Sequence, residues 1–288
     1  MTEISYSANA KINLYLDITG RRADGYHTLE TVMQSIDLAD IVTVRLNADD
    51  ADDIDSGISV SCSNPLIPTD SGNICYKAAQ QYFAAIGRRC RAQIHIDKRI
   101  PHGAGLGGGS ADAAAVLKAL NTLCDNALSE ERLLEIGAEI GADVPFCIAG
   151  GIKLCKGIGE KMSDIEPFPE RAYLVVMPDF SCATGEAYRK YDENPLPIKN
   201  GLNEFLAAGD DYPSHLYNVF SVLYNDVRIT DICRRLRECG AQGAELSGSG
   251  AAVFGVFDNP EVAAKAAENF PSYFTAVCKP LKHGVKPI

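Results

Sequence analysis

Five glycines crowd into the seven positions 103–109, inside the run Pro101-His102-Gly103-Ala104-Gly105-Leu106-Gly107-Gly108-Gly109-Ser110-Ala111-Asp112. Glycine lacks a Cβ, so its backbone reaches positive φ and lets a ligand approach closely. A helical pattern follows at once. The start of a helix leaves amide groups without intrahelical acceptors, and the helix dipole is positive there. A glycine-rich loop that feeds a helix is therefore an anion site, most often for a nucleotide phosphate. The Ser110 hydroxyl suits two roles equally, capping the helix or meeting a phosphate oxygen or Mg²⁺.

Several look-alikes fit this run less well. Gly103, Gly105 and Gly108 satisfy G-x-G-x-x-G, which alone suggests a dinucleotide site. The dinucleotide turn leaves its strand tightly, whereas here Lys98-Arg99-Ile100-Pro101 intervenes, and no ribose-binding acid follows a second strand. An oxidoreductase reading is thereby disfavoured. A Walker pattern nearly runs from Gly103 to Ser110, but Gly109 fills the lysine slot. Neither H-R-D nor D-F-G occurs, so the protein-kinase set is missing. A flexible linker would not open directly into a regular amphipathic helix.

Other residues invite chemistry less sharply. Asp143 lies after Gly141 and before Val144-Pro145, which predicts a fixed extended bend. On the residues alone, a turn or capping aspartate is the commoner role for it. Lys11 sits in an otherwise apolar strand, an uncommon place for lysine, although a solvated strand position is the alternative. The Tyr26-His27 pair reads on its own as half-buried packing. The formal net charge is −11 over 288 residues. Such a chain repels nucleic-acid backbones, so an anionic small substrate needs local positive charge. Lys98, Arg99 and Lys11 are the candidates. The ten cysteines are scattered with no C-x-x-C pair, which suits free thiols in a reducing cytoplasm. No signal peptide and no span of about 20 apolar residues is read, so no membrane role is expected.

These residues must be positioned by the elements around them. Strands are expected over 4–18, 40–46, 58–62 and 92–96, with a turn between Gly20 and Gly25. A helix is expected over 73–86, another capped by Ser110, and a third opening at Ser129 and fraying at Gly137 and Gly141. Gly157, Gly159, Pro167 and Pro169 mark a boundary, dividing the chain into 1–160 and 161–288. Beyond it the pattern gives strand 172–177, helices 184–191, 213–225 and 229–239, strand 252–257, helix 260–269 and strand 273–278. The irregular alternation of strands and helices indicates α+β.

Taken together, these segments resemble the GHMP kinases. Residues 101–115 look like that family's phosphate loop, and Leu246-Ser247-Gly248-Ser249-Gly250-Ala251 like its third glycine motif. Three further blocks are similar to one branch of it: Ala8-Asn9-Ala10-Lys11-Ile12-Asn13-Leu14, Gly20-Arg21-Arg22-Ala23-Asp24-Gly25-Tyr26-His27-Thr28-Leu29, and Gly141-Ala142-Asp143-Val144-Pro145-Phe146. That branch phosphorylates the 2-hydroxyl of a cytidine-diphosphate-linked methylerythritol in non-mevalonate isoprenoid biosynthesis. The resemblance covers nearly the whole chain and is weakest over 190–230.

The resemblance implies a two-domain fold. An N-terminal mixed sheet with helices (like the second domain of ribosomal protein S5) would precede a C-terminal ferredoxin-like sandwich. It also implies ATP with Mg²⁺, a small-molecule acceptor, and a monomer or homodimer. Asp143 would accept the acceptor's proton, with Lys11 beside it. Pro101, Gly103, Ala104, Gly105, Leu106, Gly107, Gly108, Gly109, Ser110 and Ala111 would bind ATP, with Asn73 and Lys98 near the adenine nucleotide. Tyr26, His27 and Tyr188 would hold cytosine, while Asn13, Gly248 and Ser249 meet the rest of the acceptor. A homoserine or mevalonate kinase would not need Asp24-Gly25-Tyr26-His27. A non-catalytic nucleotide-binding module would not need Lys11 and Asp143.

Overall fold

The computed structural model describes residues 2–47, 57–88 and 90–288. Two long antiparallel strands form its spine, β1 (Thr2–Arg21) and β2 (His27–Asn47). They pair from Thr2 opposite Leu46 to Arg21 opposite His27, with register shifts at Asn9/Lys11, Asn13/Tyr15 and Ile18/Gly20. β1 is buried without a break from Ala8 to Ile18. Both of its faces are covered, which removes the alternation that a half-exposed strand would show.

The chain continues through β3 (Ile58–Cys62), α1 (Ile74–Ile86), β4 (Arg91–Asp97), α2 (Gly108–Leu123), α3 (Glu130–Ile140), α4 (Val144–Ala149), β5 (Ile152–Gly157) and β6 (Lys161–Asp164). Next come β7 (Ala172–Met177), α5 (Thr184–Glu193), α6 (Leu202–Ala207), a 3₁₀ turn (Gly209–His215), β8 (Tyr217–Asn218), α7 (Val219–Tyr224) and α8 (Val227–Glu238). The last elements are β9 (Gly243–Leu246), β10 (Val253–Phe257), α9 (Pro260–Ala267), β11 (Phe274–Cys278) and β12 (Lys286–Pro287).

Among the described residues, one mixed sheet runs β12-β1-β2-β4-β3, and β5, β6 and β8 join it at the side. The second sheet is antiparallel in the order β11-β7-β10-β9. The path β7-α8-β9-β10-α9-β11 is the ferredoxin-like arrangement expected of the second half, with α5 to α7 inserted. The β5–β6 hairpin straddles position 160/161. β8 and β12 return from the second half to pair with β1.

Apolar packing locks the layers. α1 and α2 set Ala78, Tyr82, Val116 and Leu120 against Val42, Val44, Ile94 and Ile96. Between the sheets, Ile12, Leu14 and Val32 meet Tyr173, Val175 and Phe254. On the far side, Ile232, Leu236 and Ala263 cover the second sheet. Burial of each such Val, Leu, Ile or Phe side chain contributes about 1.5–3 kcal/mol.

The structure departs from the sequence reading at several elements. α2 begins at Gly108 with Gly107 as its N-cap (φ 70°), so Ser110 lies inside the first turn and caps nothing. The helix starts within the glycines because Gly107 takes the left-handed turn that ends the loop. Asp143 is helical rather than extended (φ −86°, ψ −11°), at the start of α4. The proline restricts Val144, not Asp143, and sits in a helical first turn where it is tolerated. The helix expected over 213–225 is a 3₁₀ turn, a short strand and α7. Pro213 cannot continue an α-helical ladder.

Candidate active site

A cleft of about 1060 Å³ opens where β1, the starts of α1 and α2, α5 and the 246–250 loop converge. The phosphate loop forms one wall. Gly103, Gly105 and Gly107 all have positive φ (67°, 75° and 70°). A Cβ on Gly105 would lie 2.1 Å from the Ser247 carbonyl oxygen, so only glycine fits where the two glycine loops cross. Three of the loop's carbonyls are engaged by the protein. Gly105 O accepts from Lys11 Nζ and Ser247 Oγ, both at 3.0 Å. Ala104 O accepts from the Ala252 amide, and Leu106 O from the Lys11 amide. The amides of Gly108, Gly109 and Ser110 open α2 and have no intrahelical acceptor.

Lys11 and Asp143 meet at the floor of this cleft, with Nζ 3.4 Å from Oδ2. Lys11 is 5% exposed and Asp143 34%. The β-bulge beside Lys11 re-aims its side chain. Lys11 Nζ also donates to Asn13 Oδ1 at 2.7 Å. A chain of hydrogen bonds fixes that orientation. The Thr31 hydroxyl donates to Tyr15 O, so its oxygen accepts from Asn13 Nδ2 and turns Oδ1 toward Lys11.

Lys98 lines the cleft, but its ammonium is engaged from below. Nζ lies 2.5 Å from Asp40 Oδ2 and 2.7 Å from Asp112 Oδ2, and all three groups are buried. Asp40 Oδ1 accepts the amides of Arg99 and Ile100, which enter the phosphate loop. Burial pushes the Asp112 carboxyl well above the ordinary carboxylate range, against the pull of Lys98. Burial opposes the charge on Lys98, but the two carboxylates outweigh it and raise its pKa. Arg99 pairs with Asp97 in solvent. Asn73 caps α1, accepting from the Cys75 amide at 2.8 Å and donating to Pro68 O at 2.5 Å.

At the opposite end, Tyr26 is 62% exposed. His27 stacks on Tyr188 with centroids 4.9 Å apart and planes 17° apart. Tyr188 packs edge-on against Phe220. Gly248 and Ser249 are held by their own scaffold. Asn218 donates to Gly248 O, Tyr224 to Ser249 O, and Thr184 Oγ1 lies 3.0 Å from Ser249 Oγ.

The cleft thus gathers every candidate residue of the sequence reading except Ala111 and Arg99, whose guanidinium is spent on Asp97 in solvent. Ala111 is fully buried, and its amide is spent on Gly107 O. Four contributors escaped that reading. Asp40 and Asp112 underpin the loop, Asp192 reaches His27, and Arg189 lines the cleft with no carboxylate partner among the described residues. Asp112 followed the glycine run and was the one with a visible signal, a carboxylate at the start of a helix.

Comparison with known proteins follows the same lines. The GHMP kinases N terminal domain matches residues 73–151 and the GHMP kinases C terminal domain matches 227–276. A 4-diphosphocytidyl-2-C-methyl-D-erythritol kinase of Clostridium botulinum is 38% identical over 283 residues, covering 95% of this chain and 98% of the relative. The protein of the same name from Caldicellulosiruptor bescii is 40% identical, with 94% and 95% covered. A crystal structure of 4-(cytidine 5'-diphospho)-2C-methyl-D-erythritol kinase superposes with TM-score 0.80 at 30% identity, covering 96% of this chain and 99% of that one. A homoserine kinase from Cytophaga hutchinsonii shares the fold at TM-score 0.78 and 20% identity, with 100% and 98% covered. With glycine loop, lysine–aspartate pair and full-length likeness in agreement, the chain belongs to the GHMP kinase family, in its branch of 4-diphosphocytidyl-2-C-methyl-D-erythritol kinases.

Proposed function

We propose that this chain transfers the γ-phosphoryl group of ATP to the 2-hydroxyl of 4-diphosphocytidyl-2-C-methyl-D-erythritol. The product is the 2-phosphate, an intermediate of non-mevalonate isoprenoid biosynthesis in the cytoplasm. The observation that carries this reading is the Lys11–Asp143 pair, 3.4 Å apart and facing the same cleft as the open amides of α2.

Phosphoryl transfer needs in-line positioning and charge neutralisation more than covalent help. The amides of Gly108, Gly109 and Ser110 hold the phosphate tail at the positive end of α2. Asp143 takes the proton of the 2-hydroxyl as its oxygen bonds to the γ-phosphorus, and ADP leaves. Lys11, fixed by Asn13 and Gly105, orients Asp143 and offsets charge on the phosphoryl group. Asn73 and Lys98 border the adenine end, with Lys98 acting from beneath the loop.

The residues present suit Mg²⁺ carried in with the nucleotide. Among the described residues no three acidic, His or Cys side chains form a cage. Mg²⁺ keeps several waters and is commonly bound by one or two protein groups plus phosphates. The Ser110 hydroxyl and the Asp143 carboxylate, both lining the cleft, are the groups that would hold it. When bound, the ion neutralises charge on the phosphate tail.

Tyr26, His27 and Tyr188 form the base end. Stacking together with edge hydrogen bonds is how a protein selects one base. Arg189 supplies positive charge toward the acceptor's diphosphate. Phosphorus NMR of reactions with ATP and candidate acceptors tests the proposal. A new phosphomonoester signal coupled to C2 of the erythritol is expected; phosphorylation of homoserine or mevalonate instead would overturn it.

A further inference from the structure

His27 is held by one helix in two ways. α5 carries Tyr188 and, one turn later, Asp192, so both project from the same side. Tyr188 stacks on the imidazole at 4.9 Å. Asp192 Oδ1 lies 2.8 Å from His27 Nε2. Tyr191 adds an edge contact at 5.7 Å. The His27 side chain is 8% exposed, while Asp192 remains 35% exposed. A carboxylate only accepts, so this contact puts a proton on Nε2 and fixes the ring's orientation. The other neighbour of Asp192 is Arg21, whose Nη1 lies 3.4 Å from Oδ1 at the solvent side.

We infer that Asp192 is a positioning residue for the acceptor's base, clamping His27 against Tyr188 so that the cytosine end of the cleft is set before the substrate arrives. This deepens the function proposed above and rests on it. A preset ring loses less freedom on binding, which strengthens affinity without touching the chemical step. The clamp therefore acts on KM for the acceptor and not on kcat. The clamp uses none of the loop's amides, so the ATP site is expected to be indifferent to it.

The test uses the full chain, with steady-state kinetics and nitrogen-15 NMR of labelled histidine. Asp192→Ala is expected to raise KM for the cytidylyl acceptor about tenfold, with kcat and KM for ATP within about twofold of wild type. The His27 signal should lose its single Nε2-protonated form. Asp192→Asn keeps an acceptor for Nε2–H and should recover most of the affinity and the NMR signature. Arg21→Ala removes the outer ion pair and the Arg21 Nε bond to Gly25 O but not the His27–Asp192 contact, and should leave both readouts unchanged. Thermal melts of each variant report folding separately.

An unchanged acceptor KM in Asp192→Ala overturns the inference. So does an equal loss for acceptor and ATP, or an Arg21→Ala variant that reproduces the effect. A wild-type chain that does not phosphorylate the acceptor would instead overturn the function proposed for the whole site. That result is seen before any variant is made.

Discussion

Lys98 Nζ sits 2.7 Å from Asp112 Oδ2, which ties the strand before the phosphate loop to the helix after it. With Asp40 on its other side, Lys98 spends its charge inside the protein. It thereby holds the loop's two ends in register. Removing one member of a buried ionic cluster leaves uncompensated charge and typically costs about 3–5 kcal/mol. Lys98→Met should lose that order of stability in urea denaturation. Asp112→Asn should be tolerated far better, because Asn still accepts from Lys98 and Asp112 Oδ1 has no partner to lose. Equal destabilisation by the two substitutions would contradict this account of the cluster.

Asp143 faces the cleft with Lys11 as its charged neighbour. Asp143→Asn keeps the shape and removes the proton acceptor. Loss of a general base commonly lowers turnover by about 10²–10⁴-fold. The expected result is a fall of that size in kcat, with nucleotide binding by calorimetry within about twofold of wild type. Near-normal turnover would remove Asp143 from the proton transfer.

Gly105 lies where the phosphate loop crosses the 246–250 loop. An added methyl would stand 2.1 Å from the Ser247 carbonyl oxygen, at a φ of 75°. The backbone conformation alone disfavours alanine by about 1–2 kcal/mol. Gly105→Ala should therefore lower thermal stability and weaken ATP binding together, because both loops must move. Gly109→Ala is the control. Its nearest outside atom would be 3.8 Å away and its φ is unexceptional, so stability should hold. A Gly105→Ala variant as stable as wild type would mean the two loops do not press on each other.

The legible part of this site was local in sequence. The glycine run announced itself by residue type and spacing, Lys11 and Asp143 took their roles from the short blocks that resemble the family, and the cleft collects all three. Asp40, Asp192 and Arg189 carried no local signal. Asp40 is 58 residues from Lys98, and Asp192 is 165 from His27; only tertiary packing brings them together. Lys98 was legible as a cation of the site, but its two buried carboxylate partners were not. In the fold, short β-branched runs were found, while the first half of β2 was missed. Residues 27–39 mix polar and apolar positions because they face another sheet, a hairpin and the cleft in turn. Ser110 misled because a hydroxyl before a helical pattern suggests a cap, whereas the glycines had already begun the helix.

Glu245 offers a pH test away from the cleft. Burial raises its pKa above the ordinary 4.5, against the pull of the Leu246 amide, Ser221 and Arg237. As pH rises above 4.5, the unfolded chain releases this proton first and the folded chain keeps it. Stability from this group is therefore complete below the ordinary value and is lost as pH climbs toward the raised one. Glu245→Gln retains the acceptor for Leu246 and removes the titration. The variant should gain on wild type as pH climbs from about 4.5 toward the raised value, at no more than about 1.4 kcal/mol per pH unit, and level off beyond it. A constant difference across that range would mean that Glu245 ionises alike in both states.

Among the described residues, Arg189 is the cleft's guanidinium without a carboxylate partner, in a chain of net charge −11. Lys11 and Lys98 are already paired with Asp143, Asp40 and Asp112. A doubly charged diphosphate entering this acidic protein gains most from the cation that is still free. Arg189→Ala should raise KM for the cytidylyl acceptor about tenfold at low salt, the order expected for a charge-assisted contact. Because Arg189 is exposed, the difference from wild type should shrink as ionic strength rises from about 0.01 M toward 0.5 M and screening shortens. The effect of Asp192→Ala, which works through ring orientation, should be nearly independent of salt. KM for ATP should stay within about twofold in both variants, since neither side chain belongs to the glycine loop. If Arg189→Ala raised KM equally at both ionic strengths, the side chain would be acting through packing rather than charge.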